Sequence, residues 1–75
     1  MFDLIRGCGW DPNPPDGTKR YRYEWGEQGF EDFEYADVRD AELVGKTPLQ
    51  VNDLVAQRNA EAVGRLAIRA GLVKA

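Results

Sequence analysis

The strongest constraint in this 75-residue chain is a helix whose two ends are both marked in the sequence. Thr47 and Gln50 have the spacing of a capping box, in which each side chain bonds a backbone N–H of the first turn. Pro48 falls at the first helical position, where its fixed φ suits the helix and its missing N–H costs nothing. Gly71 is the residue type that most often ends a helix in the left-handed conformation. These signals predict a helical segment over residues 47–72.

The apolar side of this segment changes direction halfway along it. At 100° per residue, Val51, Leu54 and Val55 cluster on one side, whereas the apolar residues of the second half point about a quarter turn or more away. We therefore predict a break near residues 57–59, with Asn59 as a second N-cap. The alternative is one continuous helix whose two halves contact different surroundings.

Residues 18–38 are predicted to form an antiparallel β-hairpin. Residues 19–25 alternate aromatic and charged side chains with period two, residues 33–38 alternate again, and glycines bound the connection between them. Because a lone hairpin is marginal in water, we expect its aromatic face to cover the helix. The alternative for residues 30–35 is a short helix, since their apolar residues also have helical spacing.

The N-terminal segment, residues 1–17, carries weaker signals. Residues 2–5 suit either a first strand or a first helical turn, and the glycines of Gly7-Cys8-Gly9 should break any regular element. Residues 10–17 contain three prolines and an Asp-Gly turn, which indicates a loop. We therefore predict one small α+β domain over the whole chain: a β-hairpin, or a three-stranded meander if the first strand forms, packed on a C-terminal helix that is bent or split into two.

Composition excludes several kinds of chemistry. The chain has no histidine, which removes histidine-based acid–base catalysis and histidine-ligated zinc. Its single cysteine excludes an internal disulfide and favours a reducing compartment. No apolar run approaches the roughly 20 residues of a membrane span, and the first residues lack the order of a signal peptide. We expect a cytoplasmic protein without membrane contact, and we assign no catalytic residue, metal ligand or cofactor.

Charge is distributed unevenly along the chain. The net charge is −3, but residues 1–23, 24–42 and 43–75 carry +1, −7 and +3. An acidic middle and a basic end indicate either internal pairing or two separate binding faces. The acidic residues lack the spacing of a calcium loop, and a chain this short leaves little room for a substrate cleft. These observations favour binding over catalysis.

The leading hypothesis is a non-enzymatic module that docks on a protein partner through an acidic hairpin face, with imitation of nucleic acid as one form of this docking. Small size and the lack of catalytic chemistry suggest an inhibitor or regulator of the kind encoded by phages and other mobile elements. A tryptophan in the proline-rich loop is the candidate anchor, because tryptophan dominates interface hot spots. The partner-binding residues are Trp10, Glu24, Glu27, Glu31, Asp32, Glu34 and Asp37.

Two alternatives stay open. One is a structural subunit, for example of a homodimer, that completes its core by association. The other is a nucleic-acid-binding module with basic and aromatic residues on a strand and arginines on the helix. The alternation of side chains along the strand counts against this nucleic-acid alternative, because Tyr21 and Arg20 should point to opposite faces of the sheet. Its residues would be Arg20, Arg22, Arg58, Arg65 and Arg69, of which the last three could equally neutralise the acidic segment of the same chain.

Overall fold

A computed structural model describes residues 5–26 and 31–73 of the chain. These residues form a three-stranded antiparallel sheet and two helices. The strand order β1-β2-β3 is that of a meander, and the predicted α+β class is confirmed. The elements are β1 (Ile5–Trp10), β2 (Thr18–Trp25), β3 (Asp32–Arg39), α1 (Asp40–Leu43) and α2 (Pro48–Arg69).

Both ends of α2 follow the sequence signals. The Thr47 N–H donates to Gln50 Oε1 at 2.9 Å, and the Gln50 N–H donates to Thr47 Oγ1 at 3.3 Å, so the capping box is complete. After the last turn, Gly71 adopts a φ of 77°. The N–H groups of Gly71 and Leu72 then bond back to carbonyls three and five residues earlier, which satisfies the end of the helix.

Helix α2 is continuous, so the predicted break near residues 57–59 is wrong. The structure agrees with the alternative, which was one continuous helix whose two halves contact different surroundings. The second half fully buries Ala62, Leu66 and Ala67, at 0% exposure, whereas the first half buries no residue completely. No helix in the described part of the chain combines the length and apolarity needed to cross a bilayer.

Strand β1 runs through the glycine pair that we expected to interrupt it. Its register with β2 shifts between Gly7 and Gly9, so Cys8 is accommodated in a bulge instead of ending the strand. Gly7 packs closely against Tyr21: a Cβ at position 7 would come within 2.7 Å of the Tyr21 hydroxyl, so any larger residue there would force the ring to shift. Residues 2–4, part of the predicted first element, lie outside the described residues.

The predicted hairpin is formed by β2 and β3, which pair from Thr18 opposite Arg39 to Trp25 opposite Asp32. The alternative of a short helix at residues 30–35 is wrong where it can be followed, because residues 32–35 belong to β3. Most of the connecting turn lies outside the described residues.

The aromatic residues of the two hairpin strands lie on opposite faces of the sheet. The register pairs Tyr21 with Ala36 and Arg22 with Tyr35. Ala36 is only 2% exposed, in the buried core that the sheet shares with α2, so the tyrosines of β2 lie on the helix side. Phe33 and Tyr35 lie on the opposite side, which we call the outer face. The expectation of one aromatic face covering the helix therefore holds for β2 and is wrong for β3.

Arginines of α2 cap the free edge of β3. This strand pairs with β2 along one edge only, and three successive carbonyls of its other edge each accept a hydrogen bond from an arginine. Because the arginines recur at spacings of seven and four on one side of the helix, all three reach the same strand edge. The bonds are Arg58 Nη1 to the Asp37 carbonyl at 3.1 Å, Arg65 Nη2 to the Tyr35 carbonyl at 3.2 Å, and Arg69 Nη2 to the Phe33 carbonyl at 2.6 Å.

Acidic side chains satisfy the neighbouring N–H groups of the same edge. Asp32 Oδ1 accepts from the Phe33 N–H at 2.8 Å, and Glu34 Oε1 accepts from the Tyr35 N–H at 3.0 Å. The two carboxylates also accept from Arg69, at 3.1 Å for Asp32 and 2.6 Å for Glu34. The edge that could pair with another strand is thereby closed. We call the five side chains involved the edge ladder: Asp32, Glu34, Arg58, Arg65 and Arg69.

Replacing Arg69 with methionine tests the contribution of the edge ladder to stability. Arg69→Met keeps an apolar stem but removes the guanidinium, leaving the carboxylates of Asp32 and Glu34 without this cation. We expect the free energy of unfolding to fall by about 1–2 kcal/mol, more than a simple surface ion pair contributes, because one cation serves two carboxylates and a carbonyl. Chemical denaturation measures the change. Lys46→Met is the matched control, and an equal loss in both variants would contradict this role.

Candidate functional site

The structure separates the acidic residues of the expected docking face. Asp32 and Glu34 belong to the edge ladder, whereas Glu24 and Asp37 lie on the outer face. Glu31 is exposed next to the start of β3. The described carboxylates of the hairpin therefore do not form one continuous acidic surface.

Glu27 and Trp10 are the two remaining residues of the expected docking set. Glu27 falls outside the described residues. Trp10 ends β1 opposite Tyr21, toward the end of the sheet away from the connection between β2 and β3. Its ring packs edge-on against Tyr21, with 5.2 Å between centroids, and the residue is 51% exposed.

Arginines of β2 pair with the acidic residues on the outer face. Arg20 donates two hydrogen bonds to the Asp37 carboxylate, from Nε at 2.8 Å and from Nη2 at 2.9 Å. Arg22 Nη2 donates to Glu24 Oε2 at 3.2 Å. The residues of the acidic hypothesis and of the nucleic-acid hypothesis thus neutralise one another to a large extent.

Hydrogen bonds within the edge ladder keep its carboxyl groups ionised. Those from Arg69 hold the pKa of Asp32 below its usual value. For Glu34, burial alone would raise the pKa, but hydrogen bonds from Arg69, a backbone N–H and Arg65 outweigh burial and lower it. Both groups therefore carry charge that is already engaged within the fold.

An apolar groove opens between the first half of α2 and the sheet. Its volume is about 400 Å³, at the lower end of the range for ligand pockets. Val38 lies in it as a buried residue, Val51 and Val55 line it from the helix, and Trp10 contributes its half-exposed ring. The polar residues along the groove are Lys19, Asn52 and Asn59.

The groove explains the apolar direction change seen in the sequence. Leu66 and Ala67 hold the second half of α2 against the sheet, whereas the apolar side chains of the first half remain only partly buried. Val51 and Val55 thus line a space that the described side chains do not fill. The sequence showed that the apolar side chains of the first half point in a different direction from those of the second half. It did not show the groove that they line.

Aromatic rings of β3 lie beneath arginines of β2 on the outer face. The guanidinium carbon of Arg20 is 4.3 Å from the ring centroid of Tyr35, and that of Arg22 is 4.5 Å from the centroid of Phe33. Beside them is a cleft of about 230 Å³, whose lining includes Arg22, Tyr35 and Asp11. Sequence reasoning considered only the tyrosines of β2 as partners of these arginines and missed the rings of the neighbouring strand.

Cys8 is exposed but poorly suited to nucleophilic chemistry. Its thiol donates to Glu24 Oε1 over 3.0 Å. Partial burial, followed by the hydrogen bond and the negative charge of Glu24, raises the pKa of the thiol, so the thiolate is disfavoured at neutral pH. Within residues 5–26 and 31–73, no group of acidic or cysteine side chains is arranged to hold a metal ion.

Comparison with known proteins gives no relative for this chain. No family model matches it, and no curated protein or solved structure shows significant similarity. We therefore infer function from the groove, the outer face and their chemistry.

The ion pair between Glu42 and Arg58 predicts a loss of stability in acid. Two hydrogen bonds from the Arg58 guanidinium, with a further bond from the Arg39 N–H, lower the pKa of Glu42 from 4.5 to about 2. A lowered pKa stabilises the fold above the unfolded value, so this contribution is complete above pH 4.5 and disappears as the pH falls toward 2.

Urea unfolding of the wild type and Glu42→Gln, from neutral pH to about 2, tests this pair. We expect the wild type to be the more stable at neutral pH and the difference to shrink across the acidic range. In an Arg58→Met background the same substitution should lose most of this pH dependence, with the Arg39 N–H accounting for the remainder. A difference that stays constant with pH would show that Glu42 is not held by Arg58 in this way.

Proposed function

We propose that the protein is a non-enzymatic, cytoplasmic binding module that docks on a protein partner through the groove, as a small inhibitor or regulator does. The observation that carries the proposal is the half-exposed ring of Trp10 beside an apolar groove that the described chain leaves unfilled. Exposed tryptophan next to a concave apolar surface is the usual composition of an interface hot spot.

The groove supports an apolar anchor from the partner. Val51 and Val55 present aliphatic surface on one side and Trp10 presents an aromatic ring on another. Burying one leucine-sized side chain between them would contribute about 1.5–3 kcal/mol. Lys19 and Asn52 supply hydrogen-bond donors along the groove, which favours a partner whose anchor lies beside carbonyl or carboxylate oxygens.

The acidic end of the hairpin is a second contact region in this proposal. Glu31 is exposed, whereas the neighbouring Asp32 and Glu34 are engaged by the edge ladder. Trp10 and this end are separated by four residues along β2, about 14 Å. A standard interface of roughly 800 Å² on each partner is wide enough to cover both. Because the edge ladder engages Asp32 and Glu34, fewer carboxylates remain to imitate the phosphates of nucleic acid than the sequence suggested.

Obstructing the groove from the helix tests the proposal. Ala56→Arg places a long cation at an exposed residue that lines the groove, and Ala60→Arg places the same side chain one turn further on, outside the lining. Each tagged variant is incubated with nuclease-treated lysate of the source cell, and the captured proteins are quantified by mass spectrometry. We expect a stoichiometric partner with the wild type and Ala60→Arg, and its loss with Ala56→Arg.

Circular dichroism and melting curves establish that both variants are folded. Equal capture by Ala56→Arg and the wild type would overturn the proposal. Sedimentation tests the homodimer, which would fill the groove with a second copy of the chain. Self-association that Ala56→Arg abolishes would assign the groove to the second copy and would also overturn docking on a different protein.

A further inference from the structure

The outer face of the sheet lies on the side away from α2 and differs from the groove in its chemistry, although Trp10 at the end of β1 lines both the groove and the outer-face cleft. It carries arginines of all three strands with two aromatic rings among them, and Phe33 is 37% exposed. We infer that this face binds single-stranded nucleic acid, independently of the protein partner at the groove. The occupant is an unpaired strand whose bases stack on the arginine and aromatic layers and whose phosphates meet the arginines.

The first layer of the binding surface is Arg20 over the Tyr35 ring, and contacts within the protein hold it in place. Asp37 fixes the guanidinium of Arg20 through two hydrogen bonds, at 2.8 and 2.9 Å, while the same group lies 4.3 Å from the Tyr35 ring. One side of the guanidinium therefore covers the ring. The Arg20 side chain keeps 24% of its surface exposed, and guanidinium planes stack on nucleobases as aromatic rings do, so this exposed part is where a base would stack.

The cleft beside this layer offers a place for one base. Arg22 and Tyr35 line it, and Asp11 lies in the same lining. Arg22 supplies N–H donors and the Asp11 carboxylate supplies acceptors, which match the mixed donors and acceptors of a base edge. The guanidinium carbon of Arg22 is also 4.5 Å from the centroid of the Phe33 ring. Arg22 therefore both lies over an aromatic ring and lines the cleft.

Charge favours a phosphate-bearing strand on this face although the whole chain is acidic. By strand alternation the three strands place four arginines and two carboxylates on the outer face, and Asp11 adds a third carboxylate at the cleft, whereas the protein as a whole has a net charge of −3. The excess positive charge supports salt-sensitive binding to phosphates. The charged residues are Arg6, Arg20, Arg22 and Arg39, with Glu24, Asp37 and, at the cleft, Asp11.

The surface differs from the one that the sequence suggested. Arg58, Arg65 and Arg69 are engaged at the edge of β3, so they are not part of the inferred site. The rings come from Phe33 and Tyr35 instead of the tyrosines of β2, which face the helix. An unpaired strand fits better than a duplex, because stacking on side chains requires base faces that a duplex keeps internal.

Fluorescence anisotropy with labelled oligothymidylate of roughly 12 nucleotides tests the inference, with a duplex of the same length for comparison. At about 20 mM salt we expect binding to the single strand that weakens as salt rises, and weaker binding to the duplex. Tyr35→Leu and Arg22→Gln should each reduce the affinity by about tenfold, since each removes part of one stacking layer.

Matched variants separate this site from net charge and from the groove. Lys46→Gln removes one positive charge away from the outer face and should change the affinity by less than about twofold. Ala56→Arg should leave oligonucleotide binding intact while it abolishes partner capture, so the two proposals can fail separately. Phe33→Leu replaces Tyr35→Leu if the latter does not fold. Absence of binding at low salt, equal affinity for the duplex, or unchanged affinity in both outer-face variants would overturn the inference.

Discussion

The edge ladder is the interaction on which the rest of this structure depends. The buried apolar core of the described residues is small, and Leu66 is the only large side chain in it that is fully buried. The attachment of α2 to the sheet therefore depends also on arginines that bond the backbone edge of β3 and on carboxylates that bond both. The same contacts close an edge that would otherwise accept a strand from another molecule.

Closing this edge also determines which surfaces remain for function. The acidic middle and the basic helix of the chain are used largely for each other, so neither presents a strong field of one sign. Two surfaces remain: an apolar groove under the first half of α2, with Trp10 beside it, and a surface of stacked arginines and aromatic rings on the outer face. Both surfaces suit binding, and they lie on opposite sides of the sheet.

Local signals predicted the elements, and long-range contacts determined the site. Two elements could be predicted from the sequence because their signals depend on residues close together in the chain. These signals are the capping box at Thr47 and the alternation of residues 19–25. The predicted break in α2 was wrong because a change of apolar direction is expected both for a broken helix and for a continuous helix whose halves lie in two environments. The passage of β1 through Cys8 depends on its register with β2, which no local pattern contains.

The site was predictable only in part, for the same reason. Alternation shows that Phe33 and Glu34 point to opposite sides of the sheet, but it does not show which side α2 will cover. Buried Ala36 and Val38 determine that choice, and they place the rings outside and the carboxylates within reach of the helix. The pairing of Glu34 with arginines more than 30 residues away has no local signal at all.

Hydrogen exchange at the backbone N–H groups of Phe33 and Tyr35 tests the edge ladder most directly. Neither group pairs with a neighbouring strand, yet each donates to a carboxylate that an arginine of α2 holds in place. We expect slow exchange at both amides in the native protein and faster exchange at both when Arg69 is replaced. Exchange at the rate of an unstructured peptide in the folded wild type would contradict it.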